Sequence, residues 1–372
     1  MQLTKLSTIT AIALVTTLSL HAENYVSVEY LQYDESDDRV SVMAPSLSLS
    51  LDIGTDYNIK ADIVNDSVSG ATPTYKDSVS GASATSGRGD YIYGNQSFDD
   101  RRTAGSLIVT KRFENRDELT VGVDVSSESD YESKTGSVEY MHYTDSSHNR
   151  AIIAGVGATF NEILNRGVDV ESGASSKESS NSLNFELGLS QVLTQKSTMK
   201  VTAFAIKDSG YLTNPHANVV RDYNSANRRL VTENRPDSRT AYGADVQFAT
   251  KLSEDISFLG EYRYYSDDWK ITSNTIDSNL YYKLNKSFTF GTGLRYYNQT
   301  GASFYNGAKD YFSNQEYASS DERLSSFSAY TYKGSIDFKQ TKKLSYNLGV
   351  ELYKQSTGLK ATSILTGVKY KY

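Results

Sequence analysis

The chain has 372 residues, with 38 basic and 45 acidic side chains, a formal net charge of -7, 38% hydrophobic residues and no cysteine. A mean hydropathy of -0.50 excludes a bundle of membrane helices, each of which needs about 20 apolar residues. The acidic balance argues against a nucleic-acid binder, and the missing thiols exclude disulfide scaffolds, thiolate zinc sites and cysteine nucleophiles.

Residues 1–22, MQLTKLSTITAIALVTTLSLHA, read as a secretory signal peptide. Lys5 supplies a positive start, Leu6 to Leu20 is mostly apolar, and Ala22 is a small residue at a cleavage position. The apolar run is too short for a spanning helix, and no cysteine is available for a lipid anchor. The expected mature domain is 23–372, exported by a Sec-type route.

Sixteen strands are predicted in it, at 24–34, 40–53, 57–66, 101–113, 117–128, 132–143, 149–163, 180–192, 197–208, 239–252, 256–266, 270–283, 287–299, 324–339, 343–354 and 359–372. The signal is a period of two. Leu119, Val121, Val123 and Val125 alternate with Thr120, Gly122 and Asp124; Leu183, Phe185, Leu187 and Leu189 alternate with Asn184, Glu186 and Gly188. One apolar and one polar face describe a strand between two different media. A chain with 29 Tyr and four Pro suits this reading.

Short polar turns such as Gly54-Thr55-Asp56 and Glu114-Asn115-Arg116 follow every second strand, whereas the long gaps 67–100, 164–179, 209–238 and 300–323 all fall at the other end. That alternation describes a transmembrane antiparallel β-barrel of about 16 strands, with short periplasmic turns and long extracellular loops. Closure removes the two edges that an open sheet of this size would expose, and in lipid it satisfies every backbone polar group. The last strand carries Ile364, Thr366, Val368, Tyr370 and the terminal Tyr372 on one parity, which resembles the carboxy-terminal signal of outer-membrane barrels.

The polar parity carries eleven acids: Glu29, Asp52, Asp62, Asp124, Glu139, Glu186, Asp245, Glu261, Asp277, Asp337 and Glu351. It carries eight bases: Lys60, Arg102, Arg112, Arg263, Arg295, Lys333, Lys369 and Lys371. Charges face hydrocarbon at high cost, so they are expected to line a lumen that leans weakly acidic or is neutralised by internal pairing. Both an open lumen and one plugged by the 67–100 or 209–238 loop fit the pattern.

Three stretches go beyond pattern: Thr232-Glu233-Asn234-Arg235-Pro236-Asp237-Ser238-Arg239, Tyr262-Arg263-Tyr264-Tyr265-Ser266-Asp267-Asp268-Trp269, and Leu294-Arg295-Tyr296-Tyr297-Asn298-Gln299-Thr300-Gly301-Ala302-Ser303-Phe304-Tyr305. With Val68-Ser69-Gly70-Ala71-Thr72-Pro73 and Gly210-Tyr211-Leu212-Thr213-Asn214-Pro215, they resemble the DUF3570 family of uncharacterised bacterial outer-membrane proteins. The resemblance implies a barrel. It also implies periplasmic lipoproteins and redox or flavin-transfer proteins as partners, and it supplies no catalytic residue. Arg235, Asp237 and Arg239 are expected to pair across the rim, Asp267 and Asp268 to lie at an external strand end, and Trp269 to anchor at the outer interface. The set serves either as a solute- or cation-binding rim or as a loop held to the wall.

No metal-ligand spacing of histidines appears, and no cofactor is expected. Asp34-Glu35-Ser36-Asp37-Asp38 lacks the glycine and spacing of a calcium loop. His216 near Asp222 is the one candidate for a rim hydrolase, against the plainer reading of a solvated loop residue. The expected protein is therefore not an enzyme. It is a porin-like barrel in the outer membrane of a Gram-negative-type cell, passing small hydrophilic solutes or ions. The alternative is a non-conducting barrel that scaffolds an envelope assembly. Outer-membrane lipid is the expected surrounding, no nucleic acid is expected, and assembly with further copies of the chain stays open.

Overall fold

The computed structural model describes residues 24–36, 39–77, 91–165, 176–222, 229–305 and 315–372; the segment read as a signal peptide lies outside them. The strands are β1 (Tyr25–Glu35), β2 (Val40–Ile53), β3 (Tyr57–Asp77), β4 (Tyr91–Arg112), β5 (Glu118–Ser127), β6 (Tyr131–Tyr143), β7 (Arg150–Asn165), β8 (Ser176–Thr194) and β9 (Ser197–Gly210). They continue as β10 (Asn218–Arg221), β11 (Arg229–Thr232), β12 (Ser238–Lys251), β13 (Ile256–Asp267), β14 (Thr272–Lys283), β15 (Phe288–Gln299), β16 (Phe327–Lys339), β17 (Leu344–Gln355) and β18 (Lys360–Lys371). β1–β9 and β12–β18, nine and seven strands, form one closed antiparallel barrel of sixteen; β10 and β11 make a separate hairpin. The barrel closes where β1 pairs β18, from Tyr25↔Lys371 to Glu35↔Ala361.

The alternation in the sequence sets which face looks out. Leu183, Phe185, Leu187 and Leu189 of β8 stay exposed, as do Val121, Val123 and Val125 of β5, forming an apolar belt on the barrel exterior. Such a continuous apolar surface is costly in water and stable in lipid. Exposed tyrosines border the belt. Tyr57, Tyr140, Tyr282, Tyr346 and Tyr370 lie toward the end with the short turns, and Tyr242, Tyr264 and Tyr330 toward the end with the loops. A ring with a polar tip suits both boundaries between lipid and water.

Two expected loops are shorter than their sequence suggested. β3 and β4 pair out to Asp77↔Tyr91, and β7 and β8 pair out to Asn165↔Ser176. Much of the stretches expected as loops at 67–100 and 164–179 is therefore strand. Beyond the membrane neither face meets lipid, so these extensions carry no apolar row to betray them; backbone pairing with the partner strand suffices.

Candidate functional site: a lined lumen under a two-loop cap

The inward parity of the wall carries the expected charges in cross-strand register. Asp245 on β12 stands opposite Arg263 on β13 and Thr202 on β9. Glu261 stands opposite Asp277 on β14, which in turn stands opposite Arg295 on β15. Asp277 is the neutralised station of this wall: Arg295 Nε and Lys333 Nζ each donate to its Oδ2 at 2.6 Å. Glu139 on β6 and Glu186 on β8 flank Gly155 in cross-strand register. A Cβ on that glycine would lie 2.8 Å from the Glu186 side chain, so glycine is what lets the pair lie flat on the wall.

Toward the loop end, four inward tyrosines repeat one device. Tyr33 donates to Glu35 (2.9 Å), Tyr265 to Asp267 (2.9 Å), Tyr297 to Gln299 (2.6 Å) and Tyr353 to Gln355 (2.6 Å). These tyrosines stand on β1, β13, β15 and β17, and in each case the acceptor is the next inward residue and ends its strand. All four acceptors also grip the connection beyond, Glu35 through Arg39 at 3.6 Å. Asp267 Oδ1 accepts from the Ile271 amide at 2.9 Å, Gln299 donates to the carbonyls of Arg323 and Ser325, and Gln355 donates to Thr357. The motif Tyr-x-acceptor at a strand end is present in the sequence but carries no signal there, because only its recurrence on non-adjacent strands gives it meaning.

Above these hooks the described parts of the connections 211–237 and 300–326 fold onto each other. Asn234 pairs with Ala318 and Tyr305 with Ser319. Arg235 is shared between Glu233 and Asp321, at 2.7 Å from the latter, and Arg323 also pairs with Asp321. Ser319 donates to Glu233, whose other oxygen accepts from the Asn214 amide at 2.9 Å. Burial pushes the Glu233 carboxyl up. Burial also opposes the charge of Asp321, but the hydrogen bond and charge of Arg323, with the charge of Arg235, hold that carboxyl well below the usual carboxylate range. With the β13–β14 connection (268–271) these loops share an apolar core. Trp269, Ile271, Ala302, Phe304 and Leu324 are buried, with Leu212, Tyr265 and Tyr305 packed against them.

Trp269 is thus not the outer lipid anchor expected from the sequence. It is 5% exposed, meets Phe304 edge-on at 5.0 Å, donates Nε1–H to the Ser238 carbonyl at 2.9 Å, and lies under the Arg239 guanidinium at 5.1 Å. A flanking core of loop residues buries more of the indole than a single interface could. The other rim residues hold the loops to the wall. Arg239 pairs with Asp208 of β9 at 2.7 Å, and Asp268 accepts from the Thr240 amide at 3.0 Å. Asp237 contributes its backbone carbonyl to the Gly210 amide at 2.8 Å.

The cap reaches across the mouth at both ends. His216 Nε2 lies 2.8 Å from Asp130 Oδ2 in the β5–β6 turn, and Arg39, between β1 and β2, lies 3.3 Å from Glu322. In the strand order, β6 to β9, β12 to β15, and β16 to β1 by way of β17 and β18 each insert four strands between successive anchor points. The four anchors are therefore evenly spaced, and the cap crosses the opening rather than lying along one side.

Two carboxylate arrangements lie near the mouths. Asp100, Glu128 and Asp130 bring ligand atoms within 4.8 Å of one another, the one such group among the described residues that could hold a metal ion. Burial, then the charge of Asp100, raises the Glu128 carboxyl to about 7. At the turn end Asp117 is 2% exposed and accepts from Tyr140 (2.7 Å), His142 (2.8 Å), Asn115 (2.8 Å) and the Tyr143 amide (3.0 Å). Burial opposes its charge, but these hydrogen bonds, led by His142, hold its carboxyl well below the ordinary range.

No curated protein matches the sequence. Among solved structures, the siderophore receptor PirA from Acinetobacter baumannii is similar over 90% of this chain and 53% of its own, at 11% identity and a TM-score of 0.45. The toluene transporters TodX of Pseudomonas putida and TbuX of Ralstonia pickettii are similar over 94% and 95% of this chain and 88% and 90% of theirs. Their identities are 11% and 12% and their TM-scores 0.42 and 0.40. The chain spans about half the length of the siderophore receptors that it matches. The family described as "Protein of unknown function (DUF3570)" matches residues 4–371, nearly the whole chain, and the protein belongs to that family.

Proposed function

We propose that this protein is an outer-membrane channel for small hydrophilic solutes or ions, with an outer mouth covered by the two-loop cap. The observation that carries this reading is the inward parity. Ionisable side chains line the wall from Lys60 and Arg112 near the turn end to Asp208 and Arg239 near the loop end, inside an apolar exterior. A scaffold would have no need of charges at every level of a wide cylinder. Single-channel recording in planar bilayers tests it. The wild-type barrel is expected to conduct weakly, and the full chain carrying Arg39→Ala and His216→Ala, which loses both contacts of the cap with the far rim, to conduct severalfold more. Silence of both proteins, each shown folded by heat-shifted gel migration, overturns the reading.

One observation favours a second reading, a non-conducting scaffold: the cap has its own buried core and a buried ion-pair cluster, which make a rigid outer platform. Periplasmic lipoproteins or redox proteins are the partners that this reading invites. It predicts silence of the cap-released chain as well.

A further inference from the structure

The wall holds two acidic stations on nearby strands that differ in how they are neutralised. Asp277 on β14 has two bases on one oxygen. Asp245, on β12 and separated from it by β13, has none: it is 8% exposed, and its Oδ1 has no hydrogen-bond partner. Arg263, directly opposite, is drawn away to the Phe204 ring, with its guanidinium 4.5 Å from the ring centroid. On the other flank Thr202, in register with Asp245, is 3% exposed, and its Oγ1 is likewise without a partner. Glu261, Glu186 and Lys200 are the other charges within reach of Asp245. Asp245, Glu261 and Glu186 against Lys200 and Arg263 leave one net negative charge. Two buried oxygens that lack donors, inside an under-neutralised field, call for a ligand that brings both positive charge and N–H or O–H donors.

We propose that Asp245, Glu261, Glu186 and Thr202 form a lumenal binding site for small cations, either hydrated inorganic ions or ammonium compounds. These carboxylates do not close to chelating distance; among the described residues only Asp100, Glu128 and Asp130 do. The site therefore suits a cation that keeps its water, or an amine whose several N–H groups reach separate acceptors, rather than a stripped ion held by three oxygens. This deepens the passage reading by naming the solute class, and rests on that reading only for its transport consequence.

Two measurements test it on the full chain, comparing the parent with Asp245→Asn/Glu261→Gln. The first is the reversal potential of the cap-released barrel across a KCl gradient. The parent is expected to prefer K+ over Cl-, and the double variant to lose that preference by about threefold or more. The second is calorimetric binding of spermidine to the detergent-solubilised barrel, which needs no conduction; the parent is expected to bind and the double variant to bind at least about tenfold more weakly. A change in the K+ ratio alone assigns the site to inorganic cations, and a change in spermidine binding alone assigns it to ammonium compounds. A barrel silent in bilayers that binds spermidine through these residues keeps the site and loses the passage reading. A barrel that conducts with an unchanged ion ratio, and binds spermidine equally in both folded forms, overturns the site and keeps the passage reading.

Discussion

His216 and Asp130 stand 86 residues apart in the chain, yet the imidazole Nε2 lies 2.8 Å from the carboxylate Oδ2. That contact ties the loop between β9 and β12 to a turn four strands around the ring, and with Arg39–Glu322 it stretches the cap across the opening. Each pair is partly exposed and contributes about 1 kcal/mol or less by itself. Losing both is expected to free the cap edges. Trp269 is the one tryptophan of the chain and is buried in the cap core, so its fluorescence reports this directly. Arg39→Ala/His216→Ala is expected to red-shift the emission and to speed proteolysis within 211–237. An unchanged spectrum and digestion pattern would show that the core alone holds the cap.

Trp269→Ala removes the largest side chain of that core and the hydrogen bond to Ser238. The expected cost is about 3–5 kcal/mol, as for other deletions of a buried aromatic. It falls on the cap, because the barrel is held by its own ladders. Hydrogen exchange should accelerate at Ser303 and Ala302, whose amides donate to Trp269 and Leu324, while the β1–β18 seam keeps its protection. Equal acceleration in both places would refute a separately stable barrel.

The tyrosine hooks are tested by Tyr297→Phe. The ring stays, and Gln299 loses the hydroxyl that orients it toward the Arg323 and Ser325 carbonyls. A loss of about 1 kcal/mol is expected, read as faster exchange near Leu324 and Ser325. Gln299→Ala should give the larger effect, since it removes both donors to the cap; the reverse order would rule out a hook.

Asp117 gathers four hydrogen bonds at the turn between β4 and β5. Asp117→Ala removes hydrogen bonds to an ionised carboxylate whose side-chain donors Asn115, Tyr140 and His142 stay exposed, and is expected to cost about 1–2 kcal/mol in urea unfolding. Its folded carboxyl is depressed from the ordinary 3.8, so its contribution is present above that value and declines as pH falls below it. The wild-type advantage over Asp117→Ala should therefore shrink under acid, and an advantage that does not vary with pH would contradict the hydrogen-bonded carboxylate.

Glu128 shifts the other way. Its carboxyl is raised from 4.5 to about 7, so the folded state holds more protons than the unfolded chain between those values. Stability from this group falls as pH rises through that window. Glu128→Gln should flatten the decline measured by thermal melting from pH 5 to 8, and an identical slope in both proteins would place the shift elsewhere.

The barrel was legible in the residues themselves. Alternation such as Leu183, Phe185, Leu187 and Leu189 against Glu186 and Gly188 dictates which side meets lipid, and sixteen such segments with short turns at one end admit few architectures other than closure. The charges of the inner wall came from the same parity. The strand extensions at 67–77 and 176–179 did not, since outside the membrane no contrast of media marks their faces.

The cap was decided by tertiary contacts alone. Nothing near Trp269 announces Phe304 or Leu324, nothing near His216 announces Asp130, and nothing near Asp245 announces that Arg263 would turn to Phe204. Periodicity records the solvent on each side of a strand, a local property. Which distant loop meets which, and which buried charge keeps a partner, depends on curvature and register summed around the whole ring, and is absent from any short window of sequence.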